Sequence, residues 1–152
     1  MKNNILKYFP EKVEKIITNE VLDKFNSLEE IRLRAERPLI LKMNDNEKII
    51  KYNVTTADIL STMQYICENS IYSYQNQIAS GFVTVKGGHR VGISGSCVIE
   101  NGKVININYI YSLNFRIAKE VVGCSSKILK EILKVDENTI YNTLIVSAPG
   151  VR

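Results

Sequence analysis

The sequence has a single histidine, His89, and only three cysteines, Cys67, Cys97 and Cys124, which lie far apart. No CxxC pair is present, which argues against a zinc site, because such sites combine cysteine and histidine ligands at short spacings. The odd number of cysteines and their apolar neighbours favour free thiols in a reducing compartment. A Cys–His nucleophile is an alternative that no residue spacing supports. We therefore expect no metal site.

Long apolar runs are also missing. No stretch approaches the ~18 apolar residues that a membrane span requires. The first residues, MKNNILKYFPEK, contain no apolar segment of the kind that secretory signal peptides carry. The net charge is +4 over 152 residues, with acidic and basic residues mixed along the chain. A nucleic-acid-binding protein would favour a concentrated basic stripe, so this charge does not by itself indicate nucleic acid. The length predicts one globular domain, or one domain and the first piece of another.

Helical and strand patterns follow one another along most of the chain. Apolar residues at helical spacing predict helices over residues 10–25, 57–69 and 71–79, and Thr55 and Thr56 are suitable caps for the second helix. Alternating apolar residues predict strands on both sides of Pro38 within 28–43, and over 48–52, 82–86, 89–99, 103–108 and 113–118. Gly87-Gly88 and Asn101-Gly102 predict two-residue hairpin turns. The predicted fold class is α+β, a mostly antiparallel sheet flanked by helices.

The last residues, NTLIVSAPGVR, follow a short predicted helix around Ile128–Leu133. The apolar residues 144–146 predict a strand that enters a turn of small residues: Ser147, Ala148, Pro149 and Gly150. A phosphate-binding P-loop, G-x-x-x-x-G-K-[ST], begins in this way. Arg152 would occupy the second glycine position, where a side chain intrudes on the close approach of backbone to phosphate. The alternative is an ordinary turn.

A glycine-rich hairpin in the middle of the chain carries the first group of candidate anion-binding residues. In GFVTVKGGHRVGISG, His89 and Arg90 are predicted at the hairpin tip. Gly92 and Gly95 interrupt a strand pattern, which indicates a bulge or a close backbone approach. Such a basic tip suits an anion, and an exposed polar hairpin end is the alternative.

Arginines in strand patterns form the second group. Arg32 and Arg34 share one face of a strand by the two-residue period, and Arg37 follows them. Arg116 lies on a separate predicted strand. Guanidinium groups suit carboxylates and phosphates. The alternative is a solvated sheet face whose arginines pair with nearby acids: Glu29, Glu30 and Glu36.

Four segments, EEIRLRAERPLIL, GFVTVKGGHRVGISG, LNFRIAKE and LIVSAPG, occur in this order. Together they resemble the stage III sporulation protein AA family of endospore-forming bacteria, which is similar to the motor ATPases of type II and type IV secretion and pilus systems. The resemblance covers nearly the whole chain. It implies an N-terminal α+β domain over residues 1–122, a linker and helix over 123–138, and the first strand of a RecA-like ATPase core over 139–152.

The resemblance also implies ATP and Mg²⁺ as cofactors of the full-length family, a hexameric ring, and membrane partners in the channel between mother cell and forespore. In the related motors the N-terminal domain contributes arginines to the nucleotide phosphates. Arg90 and Arg116 are the first candidates for this role, Arg32 and Arg34 follow, and His89 is a candidate phosphate contact. This chain lacks the P-loop Lys and Ser/Thr, so we expect no complete catalytic site and no tightly bound nucleotide. The expected location is the cytoplasm on the mother-cell side, at the membrane only through partners.

Two other functions stay open. Arginines and tyrosines on one sheet face could stack the bases of single-stranded nucleic acid, with Tyr72, Tyr74, Tyr109 and Tyr111 as the aromatic residues. Against this, Tyr72 and Tyr74 fall in a predicted helix and no basic stripe joins them, so nucleic acid is not favoured. The third function is a protein-interaction domain, including self-association, whose arginines are only solvated.

Overall fold

The computed structural model describes residues 5–44, 46–68, 70–119, 122–134 and 139–148. The chain forms two compact units, residues 1–119 and residues 120–152. The domain boundary after residue 122 stays a prediction. The further division of the second unit into a linker and the start of an ATPase core stays a prediction.

The first unit is built around a six-stranded sheet with the strand order β3-β2-β1-β6-β5-β4. Its strands are β1 (Leu28–Arg34), β2 (Pro38–Met43), β3 (Asn46–Asn53), β4 (Phe82–Val85), β5 (His89–Glu100) and β6 (Lys103–Arg116). Every pair of neighbours is antiparallel. Two three-stranded meanders are joined where β1 pairs with β6, and Ile31 lies opposite Phe115 at this junction. The predicted α+β class with a mostly antiparallel sheet is confirmed.

One face of the sheet forms the core, because successive side chains of a strand point to opposite faces. The fully buried strand residues are Leu28, Ile31, Leu33, Leu39, Leu41, Val83, Val91, Leu113 and Phe115. Three helices supply buried side chains to the same core: α1 (Glu11–Val21), α2 (Thr56–Ile66) and α3 (Gln75–Ala79). The ring of Phe115 also lies 4.6 Å from that of Phe9, centroid to centroid. Among the described residues, these helices therefore lie on one face of the sheet.

The start of α2 is held by a reciprocal set of hydrogen bonds. The backbone N–H of Asp58 donates to Thr55 Oγ1 at 3.1 Å, and the backbone N–H of Thr55 donates to Asp58 Oδ2 at 2.8 Å. Tyr52 on β3 donates its hydroxyl proton to the same carboxylate oxygen at 2.6 Å. Burial and this hydrogen bond raise the pKa of Tyr52 to about 12. Thr55 is therefore the cap, as predicted, and Asp58 ties the helix to the sheet.

Two of the predicted helices are shorter than their apolar patterns. The segment after α1 is a 3₁₀ helix, Leu22–Ser27, which begins at a residue with φ of 41°. The segment before α3 is also a 3₁₀ helix, Ile71–Tyr74. Apolar spacing did not distinguish these tighter turns from α-helix, because both helix types place residues three apart on nearly the same side.

The two hairpin turns differ from each other. Glu100 pairs with Lys103, and both loop residues have positive φ, 50° at Asn101 and 74° at Gly102, so this two-residue turn is confirmed. The other loop has three residues, 86–88, since Val85 pairs with His89. The prediction of a two-residue turn at Gly87-Gly88 was wrong, and the additional residue in the loop is Lys86.

The strands predicted over 103–108 and 113–118 are parts of one long strand, β6. A bulge interrupts its pairing with β5, because Ser94 pairs with Ser112 whereas Ser96 pairs with Asn108. Gly95 lies at this bulge, and a Cβ atom there would stand 2.6 Å from the backbone oxygen of Asn108. The close backbone approach predicted from the glycine pattern is therefore present at Gly95.

The second unit has little regular structure among its described residues. Its elements are α4 (Leu129–Ile132), β7 (Leu133–Lys134) and β8 (Thr139–Ile140), and β7 pairs with β8. Residues 141–148 have no regular secondary structure, so the strand predicted over residues 144–146 is not formed. A strand needs backbone hydrogen bonds from a neighbouring strand, and no described strand of this unit pairs with these residues. Within the described part of the chain, none of the helices has the length and apolar character that crossing a bilayer requires.

Candidate anion-binding face of the sheet

Three of the predicted arginines come together on the sheet face opposite the core. Glu30 on β1 lies directly opposite Arg116 on β6, and Arg116 lies directly opposite Arg90 on β5. Arg32 belongs to the next cross-strand row, opposite Asn114. Directly opposed residues of antiparallel strands have Cβ atoms about 4.5–5.5 Å apart. We call Arg32, Arg90, Arg116 and Glu30 together the arginine row.

Arg32 is already paired with two carboxylates. Its Nε and one terminal nitrogen lie 2.8 Å and 2.7 Å from Glu30 Oε2, and its other terminal nitrogen lies 2.7 Å from Glu47 Oε1. The hydrogen bond to Glu30 is the main reason why the pKa of Arg32 is raised, although burial opposes it. Because two carboxylates neutralise its charge, Arg32 is the least available of the three arginines for a further anion.

Arg116 is more loosely held. Its Nε lies 3.9 Å from Glu30 Oε1, and 67% of its side chain is exposed, whereas only 17% of the Glu30 side chain is. An exposed ion pair of this length contributes little to stability. Glu30 therefore stands between two guanidinium groups, with a close contact to Arg32 and a long one to Arg116.

Arg90 is exposed and stacks on an aromatic ring. Its guanidinium carbon lies 4.3 Å from the centroid of the Phe82 ring. Among the described residues, no carboxylate lies within ion-pair distance of Arg90. Like charges directly opposite each other destabilise an antiparallel pair. An anion bound between Arg90 and Arg116 would relieve that repulsion, and phosphate and carboxylate match the guanidinium fork.

The remaining arginines stand apart from this group. Arg34 shares the face of the arginine row, because it follows Arg32 by two residues and lies opposite Ser112. It is exposed, as is Arg37 in the turn after β1. In the described residues neither of them, nor Glu36, belongs to an ion pair. The alternative that these arginines serve only to pair with nearby acids therefore fits Arg32. It does not account for Arg34.

The acid Glu29 takes no part in binding these arginines. Its carboxylate oxygens lie 3.5 Å from Lys42 Nζ and 3.7 Å from Lys119 Nζ. Glu29 and Glu30 are adjacent in the sequence, and their carboxylates therefore serve different partners. This difference makes Glu29 a matched control for experiments on Glu30.

His89 points away from the arginine row, because it precedes Arg90 by one residue in β5. Its Nδ1 accepts a hydrogen bond from the backbone N–H of Ala118 at 3.0 Å. Burial lowers the pKa of His89 below its ordinary value of 6.5. A neutral ring whose Nδ1 already accepts a hydrogen bond favours a structural role for His89 at the end of the hairpin. The phosphate contact at His89 stays a prediction that this geometry does not support.

The described part of the predicted P-loop does not form a phosphate cradle. Ser147 and Ala148 are exposed and follow no strand, while Pro149 and Gly150 lie outside the described residues. Among the described residues, no group of three or more His, Cys, Asp or Glu side chains is placed to hold a metal ion. ATP and Mg²⁺ therefore stay predictions for the full-length family, and the partial P-loop stays a prediction as well.

The exposed tyrosines do not join the arginines. Tyr111 alternates with Ser112, so it lies on the helix-bearing side of the sheet, and Tyr109 lines a groove on the same side. Tyr72 lies in the 3₁₀ helix before α3. A stacking platform with interleaved arginines is therefore not formed by these residues, which weakens the nucleic-acid alternative.

Phe82 and Glu47, which contact Arg90 and Arg32, were not predicted from the sequence. A signal for Phe82 was present, because the alternation in GFVTV places Phe82 and Thr84 on the face opposite Val83 and Val85. The register of the hairpin then sets Thr84 opposite Arg90 and Phe82 next to it. Glu47 carried no such signal, since it reaches Arg32 from β3 across β2.

A family model for sporulation stage III, protein AA, matches residues 1–152. The chain belongs to the sporulation stage III protein AA family. A curated member of that family, stage III sporulation protein AA of Bacillus subtilis (strain 168), is 30% identical over 147 residues, which is 97% of this chain and 47% of that protein. This member of the sporulation stage III protein AA family thus spans about half the length of the curated relative it matches.

Two solved structures are similar to this sporulation stage III AA chain. The VirB11 ATPase of the Brucella suis type IV secretion system is 10% identical with a TM-score of 0.43, over 77% of this chain and 32% of that one. The Legionella pneumophila ATPase DotB is 14% identical with a TM-score of 0.44, over 74% of this chain and 31% of that one.

Proposed function

We propose that this chain is the N-terminal assembly and nucleotide-sensing part of a sporulation-specific, secretion-type ATPase that acts at the channel between mother cell and forespore. Family membership supports the sporulation role. The observation that supports the nucleotide-sensing part is the direct opposition of Arg90 and Arg116 on the exposed sheet face. A cytoplasmic position on the mother-cell side, contact with membrane partners and a hexameric ring belong to the same proposal.

The chemistry proposed for the arginine row is recognition of phosphate oxygens. Two adjacent guanidinium groups offer several N–H donors to one anion, and charge-assisted hydrogen bonds of this kind are roughly twice as strong as neutral ones. Arg90 supplies the free charge, and Arg116 supplies the second once it releases Glu30. Where such an arginine acts on the transition state of phosphoryl transfer, its removal costs about 10³- to 10⁵-fold in rate.

The chain does not hydrolyse ATP by itself in this proposal. Phosphoryl transfer needs a P-loop Lys, a metal ion held by Ser/Thr and an acid, and an oriented water. Within residues 1–152, no Lys is followed by the Ser or Thr that the P-loop motif requires. We expect no steady ATP turnover by the purified 152-residue protein with Mg²⁺. Turnover that disappears in a metal-free control would contradict this part of the proposal.

Phosphate recognition is tested by titrating the 152-residue protein with ATP while recording NMR signals of the arginine side chains. We expect the signals of Arg90 and Arg116 to shift, and both Arg90→Ala and Arg116→Ala to weaken binding. Arg37→Ala is the matched control, since Arg37 is exposed but lies outside the arginine row. Absence of any shift, or an equal loss of binding in the control, would overturn the proposed role of the row.

A further inference from the structure

Gly92 is a glycine in the middle of β5 that the fold itself does not require. Pairing with β4 and with β6 continues through it without a shift in register, and its φ is not positive. A Cβ atom at Gly92 would come no closer than 3.8 Å to a described residue other than its chain neighbours. Gly95, by contrast, lies at the bulge. Because glycine weakens the interior of a strand, the remaining reason for Gly92 is the close approach of a group from outside the sheet.

The space above Gly92 is open on the face that carries the arginine row. Gly92 follows Arg90 by two residues, so both belong to that face. Phe82 lies directly opposite Gly92 on one side, and Asn114 lies opposite it on the other. Apart from its chain neighbours, the only described atoms within 4 Å of the Cβ position belong to Asn114, so the ring of Phe82 does not cover it. We call this space, above Gly92 and between Phe82 and Asn114, the glycine gap.

Uncharged polar groups border the glycine gap beyond the arginines. Asn114 Oδ1 has no hydrogen-bond partner among the described residues, so the amide can turn toward the gap without breaking a hydrogen bond at this oxygen. Ser94 and Ser112 lie directly opposite each other, two residues or about 7 Å further along the strands. Hydroxyl and amide groups can both donate and accept hydrogen bonds. These groups therefore suit the hydroxyls of a sugar and the edge of a base.

We infer, on the basis of the proposed phosphate recognition, that the glycine gap receives the nucleoside of a nucleoside triphosphate whose phosphates lie between Arg90 and Arg116. Along the strands, the arginines, the gap and the serine hydroxyls follow one another in steps of about 7 Å. A nucleotide has the same order of groups, because its phosphates are charged whereas its sugar and base are polar and uncharged. Any side chain larger than hydrogen at Gly92 would occupy the place of the sugar.

Gly92 is then a residue that determines specificity, and the arginines alone do not distinguish a nucleotide from another polyphosphate. Inorganic triphosphate contacts only Arg90 and Arg116, whereas ATP also reaches the glycine gap. Phe82, whose ring supports Arg90, borders the gap and offers an apolar surface to the carbons of the sugar. A side chain introduced at Gly92 should therefore weaken the binding of ATP and leave the binding of inorganic triphosphate unchanged.

The test is calorimetric titration of the 152-residue protein with ATP and, separately, with inorganic triphosphate at the same Mg²⁺ concentration. We expect Gly92→Val to raise the dissociation constant of ATP about fivefold or more, and to leave that of inorganic triphosphate unchanged. Each ligand is compared between wild type and variant, because inorganic triphosphate carries more charge than ATP. Ser96→Val is the matched control, since it places the same side chain on an exposed position of β5 beyond the bulge.

The outcomes separate this inference from the proposed function. Wild type that binds neither ligand would overturn the phosphate recognition and the nucleoside site together. Wild type that binds both ligands, with Gly92→Val unchanged for ATP or equally weakened for both, would overturn the nucleoside site alone. An equal loss of ATP binding in Ser96→Val would do the same. Circular dichroism checks the fold of each variant, and Gly92→Ala, with a smaller loss in the same direction, replaces Gly92→Val if the latter does not fold.

Discussion

Arg90 and Arg116 lie directly opposite each other on neighbouring antiparallel strands, yet each guanidinium group has a different support. Arg90 rests on the ring of Phe82, and Arg116 reaches toward Glu30. Both guanidinium groups are therefore supported on the exposed face, and Glu30 offsets at most the charge of Arg116.

Phe82 is predicted to act as a positioning residue for Arg90. An exposed cation–π contact contributes about 0.5–1 kcal/mol. We expect Phe82→Leu to weaken binding of ATP about two- to fivefold, because the guanidinium group then samples other positions. The measurement is the same NMR titration that follows Arg90 and Arg116. Phe82→Tyr is the control, since it keeps the aromatic face, and a loss as large as that of Phe82→Leu would contradict the role of the ring.

Glu30 is predicted to compete with an anion for Arg116. Replacing it by Gln removes a negative charge between two arginines, so we expect Glu30→Gln to bind ATP several-fold more tightly, with a steeper dependence on salt. The cost in stability should be about 1–3 kcal/mol, because Glu30 is largely buried but Arg32 keeps its contact with Glu47. Glu29→Gln is the control, since Glu29 contacts lysines instead. Weaker binding by Glu30→Gln would show that Glu30 orients Arg116 rather than competing for it.

The sequence predicted the fold better than it predicted the site. Alternation of apolar residues placed Arg32 and Arg116 on strands, and the Asn101-Gly102 turn set the register of the β5–β6 hairpin at its tip. Two shifts in pairing, between Val98 and Ile99 and between Ser94 and Ser96, change that register before Arg90 and Arg116. What the sequence did not contain was the pairing of β1 with β6, which joins segments about eighty residues apart (Arg32 and Asn114) and brings Glu30 beside Arg116. Long-range pairing of this kind depends on the packing of the whole core, so local patterns do not encode it.

At the end of the chain, a local pattern predicted a strand that the structure does not form. The apolar residues 144–146 read as a strand, but they are 71–87% exposed and unpaired in the described structure. A run of apolar residues indicates that a segment tends to be buried. A strand forms only where a neighbouring strand supplies hydrogen bonds. At Thr55 the local signal was sufficient, because a helix cap is formed by residues three positions apart.

That cap gives a prediction about stability. Both Thr55 and Thr56 suit a cap by type, but only Thr55 accepts the backbone N–H of Asp58. We expect Thr55→Ala to lower the free energy of unfolding by about 1 kcal/mol, within the range measured for helix caps. Thr56→Ala should change it little. Chemical denaturation of both variants checks this, and equal effects would mean that the capping hydrogen bond is unimportant here.

Gly95 is predicted to be intolerant of any side chain. An alanine Cβ there would stand 2.6 Å from both the backbone oxygen of Asn108 and the Cγ2 of Ile107, so β6 would have to shift at the bulge. We expect Gly95→Ala to destabilise the protein by about 1–3 kcal/mol, as overpacked sites do. Gly92→Ala is the control, because its nearest contact would be 3.8 Å away. Denaturation curves that show the same midpoint for both variants would contradict the close approach at the bulge.

The environment of His89 predicts a dependence of stability on pH. Burial lowers the pKa of His89 in the folded protein below 6.5, so the folded state favours the neutral ring, whose Nδ1 accepts the Ala118 N–H. The stability that this preference contributes is present above about pH 6.5 and is lost as the pH falls through the lowered pKa. We expect the melting temperature to fall between about pH 7.5 and about pH 5.5, and His89→Gln to fall less over the same interval. Thermal unfolding at both pH values measures this difference. Equal slopes for the two proteins would show that His89 titrates alike in the folded and unfolded states, and a cationic His89 next to bound phosphate would then regain support.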